Sequence, residues 1–407
     1  MTGKATTNPA GLLINEKEER SGMRRIAVVV TARPSYSRVK TVLEAIASNS
    51  DLDLHIVTAA SANIDRYGDI TKVIQRDGFE VTAKVMSLVE GENPEAMAKT
   101  TGLSVLELSS LFSNLKPDMV LTVADRYETI ATAIASTYLN IPLAHLQGGE
   151  VTGNIDEKVR HAITKLADFH FVANEDARTR VLKMGEVPET VFNTGCPSID
   201  LAVRSLHTPE LDLAAALNLY GGVGVQLDPE AGYLIVLQHP VTSEYMDAQE
   251  QLKKTIQAVD AYGLQALFFW PNPDAGSDLT SKAIRTFRES KPDNKIHFFK
   301  NIEPVNFLQL LLKAKCIIGN SSVAVRECAF LGVPAVNIGT RQALRQRGKN
   351  ILDVPYDTDQ IKAAIKVQVA KAGMLEQDTI YGDGTAGVQI AKLCAELTLK
   401  SSKYICY

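Results

Sequence analysis

The sequence predicts an α/β protein of two domains, each built on a parallel sheet, with a cleft between them. Short apolar runs recur along the chain, at Ile26–Val30, Leu54–Val57, Met119–Val123, Leu143–Leu146, Phe169–Val172, Leu234–Leu237, Leu267–Trp270, Ile296–Phe299, Cys316–Ile318 and Ala335–Ile338. Between several of them apolar residues return every three or four positions, as at Val39, Val42, Leu43 and Ile46, which is the helical period. Strands alternating with helices give parallel sheets covered on both faces. So many strands suit two sheets better than one, and 407 residues suit two domains of ordinary size. A polar, Gly-rich stretch from Leu213 to Gly232 precedes the run that starts at Tyr233. The expected division is therefore 24–205 for the first domain, 206–385 for the second, and 386–407 for a C-terminal helix and tail. Residues 1–23 read as a loose, charged N-terminal extension.

Apolar residues make up 45% of the chain and charged residues 22%, with a net charge of −4 spread over mixed signs. That balance excludes the basic footprint of a nucleic-acid binder, so any anionic ligand must be held by a few local groups. The longest apolar runs are strand-sized, which argues against a membrane span, and the N-terminus lacks the apolar stretch of a signal peptide. The five cysteines, Cys196, Cys316, Cys328, Cys394 and Cys406, form no CxxC pair and stand beside no histidines at zinc spacing. They read as reduced thiols of a cytoplasmic protein that holds no metal.

In such folds ligands sit beyond the C-terminal ends of strands and between domains, so those ends are where chemistry is expected. The first run leads into Thr31-Ala32-Arg33-Pro34-Ser35-Tyr36-Ser37. Pro34 suits the first turn of a helix and Ser35 or Ser37 can cap it, while Arg33 at a helix start makes an anion site. No GxGxxG follows, which speaks against a dinucleotide cofactor. The third run ends in Ala124-Asp125-Arg126-Tyr127-Glu128, an acid beside a base. The fourth ends in His145-Leu146-Gln147-Gly148-Gly149-Glu150, and Asp156 then opens a helix expected over Ile155–Leu166. Asp156 also suits a helix N-terminus through the dipole, or a helix pair with Arg160 four residues on.

In the second half, Gln238-His239-Pro240 places an imidazole at a strand end, where it can exchange protons near neutral pH. A turn-rich loop, Trp270-Pro271-Asn272-Pro273-Asp274, follows the next strand. Gly319-Asn320-Ser321-Ser322 precedes a helix expected over Val323–Leu331 and offers hydroxyls and N–H groups to a diphosphate. Glu327, about one turn on, suits ribose hydroxyls. Arg341, in Gly339-Thr340-Arg341-Gln342, suits a phosphate.

The segments TARPSYS, ADRYE, HLQGGEVTG, IDEKVRHAITKLA, LQHPVT, PNPDAGS, GNSSVAVRE and GTRQ resemble the hydrolysing UDP-N-acetylglucosamine 2-epimerases, in order and from about residue 24 to 395. The resemblance implies two Rossmann-like domains arranged as in the GT-B glycosyltransferases, with a UDP-sugar in the cleft, no cofactor, and assembly as a homodimer or homotetramer. It implies that Arg33, Ser37, Arg126 and Asn272 contact the nucleotide sugar, that Ser321, Ser322 and Arg341 hold the diphosphate and Glu327 the ribose, and that the backbone near Ile302 reads uracil. Asp125, Asp156 and His239 fall on its acid–base positions. Where relatives often carry I-E-G-G-E, this chain has Gln147, whose amide is no base; either Gln147 only binds, or Glu150 takes that role. The implied reaction removes the C2 proton as UDP leaves C1, then hydrates the resulting 2-acetamidoglucal to N-acetylmannosamine, within sialic acid or related nonulosonic acid biosynthesis. The same motifs suit a hydrolysing epimerase of a UDP-2,4-diacetamido-6-deoxy sugar. A non-hydrolysing epimerase, a GT-B glycosyltransferase and a UDP-sugar sensor are the alternatives.

Overall fold

The computed structural model describes residues 22–64, 69–91, 93–152, 155–228, 230–271, 275–401 and 403–406. The expected extension before Met23 lies almost wholly outside the described residues.

Two seven-stranded sheets organise the chain. The first contains β1 (Arg24–Val30), β2 (Leu52–Ala59), β3 (Val81–Val85), β4 (Met119–Val123), β5 (Leu143–Leu146), β6 (Phe169–Val172) and β7 (Val191–Asn193). Their order is β3-β2-β1-β4-β5-β6-β7, all parallel. The second contains β8 (Val223–Gly224), β9 (Leu234–Leu237), β10 (Ala266–Phe269), β11 (Ile296–Phe299), β12 (Cys316–Gly319), β13 (Ala335–Ile338) and β14 (Ile351–Val354). Its order is β14-β13-β12-β9-β10-β11-β8, parallel except where β8 meets β11. Right-handed crossovers put helices on both faces, so central strands such as β4, β5 and β12 are buried along their whole length.

The ten expected runs are all strands. Four further strands, β3, β7, β8 and β14, are absent from the expected set, and they are the four sheet edges. An edge strand is half-solvated and short. Val-Thr-Ala-Lys-Val of β3 alternates half-buried and exposed, and β8 is exposed throughout. Neither shows the continuous apolar signal of a covered strand.

Three local expectations change. The Gly-rich stretch holds a helix, Leu213–Tyr220, capped by Asp212. The helix after β1 is two pieces, Arg33–Ser37 and Lys40–Ala47. Pro34 stands in the first turn as expected, but Ala32 is the N-cap and no serine caps it, because Ser35 and Ser37 fall inside the helix; the Ser37 hydroxyl donates to the Pro34 carbonyl. The expected helix 323–331 breaks at Arg326 into Ser322–Val325 and Glu327–Leu331.

The last helix, Ala386–Glu396, leaves the second half and packs on the helix Lys40–Ala47, placing Ile390, Ala391 and Cys394 in the same core as Ile26 and Leu121. Asp200 fastens it, accepting from the Ala386 and Gly387 N–H groups and from the Thr41 hydroxyl. Among the described residues no helix is long and apolar enough to cross a membrane. All five cysteines are free, four of them buried.

Candidate functional site

Each sheet reverses its winding once, between β1 and β4 in the first and between β9 and β12 in the second. Parallel sheets leave a crevice at such points, and here the two crevices face each other. Arg33 and Asp125 follow β1 and β4, while His239 and Asn320 follow β9 and β12. One cavity is lined from both sides, by Pro34, Arg38, Met97, Asp125, Arg126, Tyr127, Thr152 and Asp156 from the first half and by Thr242, Ser322, Arg341, Gln342 and Arg345 from the second.

The first wall is aimed by backbone strain. Ala124 and Gln147, the residues just beyond β4 and β5, both adopt left-handed φ of +63°, which non-glycine residues rarely do. The buried His145 supports the first of these turns. Its Nε2 donates to the Ala124 carbonyl at 2.9 Å, leaving Nδ1 to accept from the Thr164 hydroxyl at 3.1 Å. Burial pushes its pKa down to about 3 despite the Ala124 hydrogen bond. Gly149 then turns with φ +75°, and any Cβ there would overlap the Ala177 carbonyl.

Those turns deliver Asp125 and Glu150 into a nest of guanidinium groups. Arg160 is 0% exposed and donates to Asp125, to the Glu150 carbonyl and to Thr152. Arg38 lies 3.6 Å and Arg345 4.0 Å from Asp125. Glu150 is 3% exposed; Arg345 pairs with its Oε2 at 2.6 Å and Arg326 stands 3.8 Å from its Oε1. Burial alone would raise both carboxyl pKa values, but the surrounding arginines outweigh it and hold both below the usual carboxylate range. Asp125 and Glu150 are therefore anions at neutral pH and reluctant proton acceptors. Asp156, in the first turn of the helix Ile155–Leu166, lines the cavity itself.

The second wall turns on Gly319, with φ +134°, where a Cβ would overlap the Leu237 carbonyl. The Asn320 side chain then holds the His239 backbone on both sides, accepting from its N–H and donating to its carbonyl, each at 2.8 Å. Arg341 and Gln342 donate to the Asn320 carbonyl. Ser321 caps the short helix by accepting from the Val323 N–H. Arg326, 1% exposed, donates to the Ser322 hydroxyl at 2.9 Å and to Gln147 Oε1 at 3.4 Å, and its Nε is 3.8 Å from Glu327. Its backbone, at φ −101° and ψ −71°, marks the break between the two helical pieces.

Of the residues singled out in the sequence, Asp125, Arg126, Asp156, Ser322 and Arg341 share the cavity wall. Gln147 and Glu150 lie beneath it, with the Gln147 amide donating to Cys196 Sγ at 3.0 Å. Arg126 is anchored by Glu128 at 2.7 Å. Arg33 and Ile302 meet across the two halves, Arg33 Nη2 donating to the Ile302 carbonyl at 3.4 Å. Burial lowers the Arg33 pKa to about 10. Ser37 and Ser321 adjoin the lining residues Arg38 and Ser322 in sequence, His239 is held by Asn320 and Glu327 stands beside Arg326, while Asn272 lies outside the described residues. Local pattern does not single out Arg38, Arg326 and Arg345, and marks Arg160 only as a helix partner. Arg160, Arg326 and Arg345 stand within or just after the quoted motifs, but nothing local distinguishes a buried arginine from a solvated one. Among the described residues no group of His, Cys, Asp and Glu is arranged to hold a metal ion.

A family model described as UDP-N-acetylglucosamine 2-epimerase matches residues 44–395. The chain belongs to the UDP-N-acetylglucosamine 2-epimerase family. A Legionella pneumophila relative named UDP-N,N'-diacetylbacillosamine 2-epimerase (hydrolyzing) is 32% identical over 93% of this chain and 97% of its own. A Neisseria meningitidis UDP-N-acetylglucosamine 2-epimerase is 31% identical over 89% of this chain and 92% of its own. Among solved structures, the Methanocaldococcus jannaschii UDP-GlcNAc 2-epimerase in complex with UDP-GlcNAc and UDP superposes with a TM-score of 0.73 at 19% identity, covering 91% of this chain and 99% of that one. At that identity the likeness speaks to fold, and the two facing Rossmann-like domains of this family member are that fold.

Proposed function

We propose that this chain is a hydrolysing UDP-sugar 2-epimerase that converts UDP-N-acetylglucosamine to N-acetylmannosamine and UDP. The observation that supports this reading is the excess of guanidinium in the cleft. Arg38, Arg160, Arg326 and Arg345 surround two carboxylates, Asp125 and Glu150, and Arg341 adds a further cation on the cavity wall. A buried cluster with more cations than anions is costly to maintain, and a diphosphate supplies the missing charge with bidentate geometry.

In this reading Arg341, Ser321 and Ser322 take the diphosphate as charge grows on it, Glu327 takes the ribose, and Arg33 lies at the uridine end beside the Ile302 backbone. Arg126, Ser37 and Asn272 complete the contacts to the nucleotide sugar. Asp156, on the cavity wall, takes the C2 proton as the C1–oxygen bond breaks. The electron pair of the C2–H bond becomes the C1–C2 double bond of the glucal and UDP carries the leaving electrons away. Water then adds, its oxygen to C1 and a proton to C2 on the opposite face, with His239 exchanging protons in that step. Asp125 stays charged and holds Arg38 and Arg160 in place, and Gln147 binds without titrating. No nicotinamide and no metal ion takes part.

A second reading, a UDP-2,4-diacetamido-6-deoxy sugar as substrate, is favoured by the name of the Legionella relative and by Met97, Tyr127 and Pro34 on the cavity wall, which suit a 6-methyl group. The experiment that tests both incubates purified, nucleotide-free, chelator-treated protein with each UDP-sugar in heavy water and follows it by NMR. Free 2-epimerised sugar carrying deuterium at C2, together with UDP, is expected. A product still attached to UDP points to the non-hydrolysing reaction, and the absence of deuterium at C2 overturns the proposal. Light scattering tests the homodimer or homotetramer that belongs to the same reading.

A further inference from the structure

Arg345 follows β13 in the second half, yet its ion pairs reach across the cleft to the first half. Its Nη2 binds Glu150 Oε2 at 2.6 Å and lies 4.0 Å from Asp125. The residue is 6% exposed and lines the cavity, while its Nε and Nη1 have no hydrogen-bond partner. A guanidinium presents five donors in a rigid fork, and a buried donor left unmade carries a penalty. Nη2 carries two N–H bonds and belongs to both two-donor edges of the group, so with one on Glu150 the other remains for an oxygen of an anion in the cavity.

We infer that Arg345 is a diphosphate-binding residue and that Glu150 is the positioning residue that aims it from the opposite wall. This rests on the UDP-sugar reading above. Glu150 is too enclosed to meet a sugar carbon: it is 3% exposed, and the arginines on its two oxygens come from the other half of the molecule. Its role is geometric. The Glu150 to Arg345 pair forms only when the two halves face each other, so the fork is in place for the diphosphate only in the closed cleft.

Three single variants, one double variant and one probe, UDP, test this on the whole chain. Arg345→Lys keeps charge but loses the fork, Arg345→Ala loses both, and Glu150→Gln keeps shape without charge. Circular dichroism establishes that each is folded; should Arg345→Ala fail, Arg345→Lys carries the test. By calorimetric titration, UDP affinity is expected to fall about 10- to 100-fold in either Arg345 variant, the range of a charged hydrogen bond. Guanidinium ion at millimolar concentration is expected to restore part of the affinity to Arg345→Ala, which a merely structural role would not allow. Glu150→Gln is expected to weaken UDP less. In the double variant with Arg345→Lys it adds nothing further, because its effect passes through Arg345. Wild-type protein that does not bind UDP sinks the UDP-sugar reading. Wild-type protein that binds UDP, with Arg345→Lys binding equally well, overturns this inference and leaves that reading standing. An additive double variant removes Glu150 from the positioning role.

Discussion

The two walls of the cleft differ in charge and in what holds them. The first carries Asp125, Glu150 and Asp156 against Arg38, Arg126 and Arg160, with Glu128 tied to Arg126. The second carries Arg326, Arg341 and Arg345 against Glu327. The first wall is near neutral and shaped by two strained turns, Ala124 and Gln147. The second is cationic and shaped by Gly319 and the Asn320 side chain. This contrast separates the two halves of the proposed reaction. Proton transfer needs carboxylates whose surroundings are balanced, and a departing diphosphate needs uncompensated donors. Neither wall alone has both.

The largest test of that contrast is Asp125→Asn. It leaves Arg38, Arg160 and Arg345 around a neutral amide, and removing one partner of a buried ion pair typically costs about 3–5 kcal/mol. Urea unfolding should show a loss of that size, together with loss of turnover. Wild-type stability would mean that charge does not hold the first wall.

On the second wall Arg341→Ala should leave the fold intact and weaken UDP by about 1.5–3 kcal/mol, the range of a charged hydrogen bond. Calorimetric titration measures it, and unchanged affinity removes Arg341 from the site.

Acid should separate the walls next. His145 lies under the first wall with its pKa pushed down to about 3, below the value of about 6.5 for an unfolded histidine. Between those values the unfolded chain binds the proton and the folded one does not, so stability falls as pH drops through that window. By pH 5 the loss from this group is about 2 kcal/mol. Hydrogen exchange should show Ala124 and its neighbours loosening before Asn320, and His145→Gln should flatten the slope. Equal loosening of both walls would break the comparison.

The smallest effect is expected from Ser321→Ala, which removes a helix cap and should cost about 1 kcal/mol of thermal stability. A larger loss of UDP affinity than of stability would show that the hydroxyl serves the ligand directly.

Much of the fold and part of the site are legible in the amino-acid sequence. The covered strands announce themselves as continuous apolar runs, and the helix Ile155–Leu166 falls where its period places it. Asp125, Ser322 and Arg341 stand just beyond strand ends, where parallel sheets keep their ligands, Asp156 opens the helix that follows β5, and the four share one cavity. The edge strands are not legible, because a half-solvated strand of a few residues carries little pattern.

Fold class, family and the loops that hold the candidate site follow from the chain alone, because burial periodicity, glycine turns and motif order are local properties. Which groups act together is settled by tertiary packing. Arg38 reaches Asp125, Arg326 reaches Gln147, and Arg345 reaches Glu150 across long separations in sequence. A guanidinium has no local signature that tells a solvated surface from a buried cluster. Its partner, its charge balance and its unused donors exist only once the two sheets face each other.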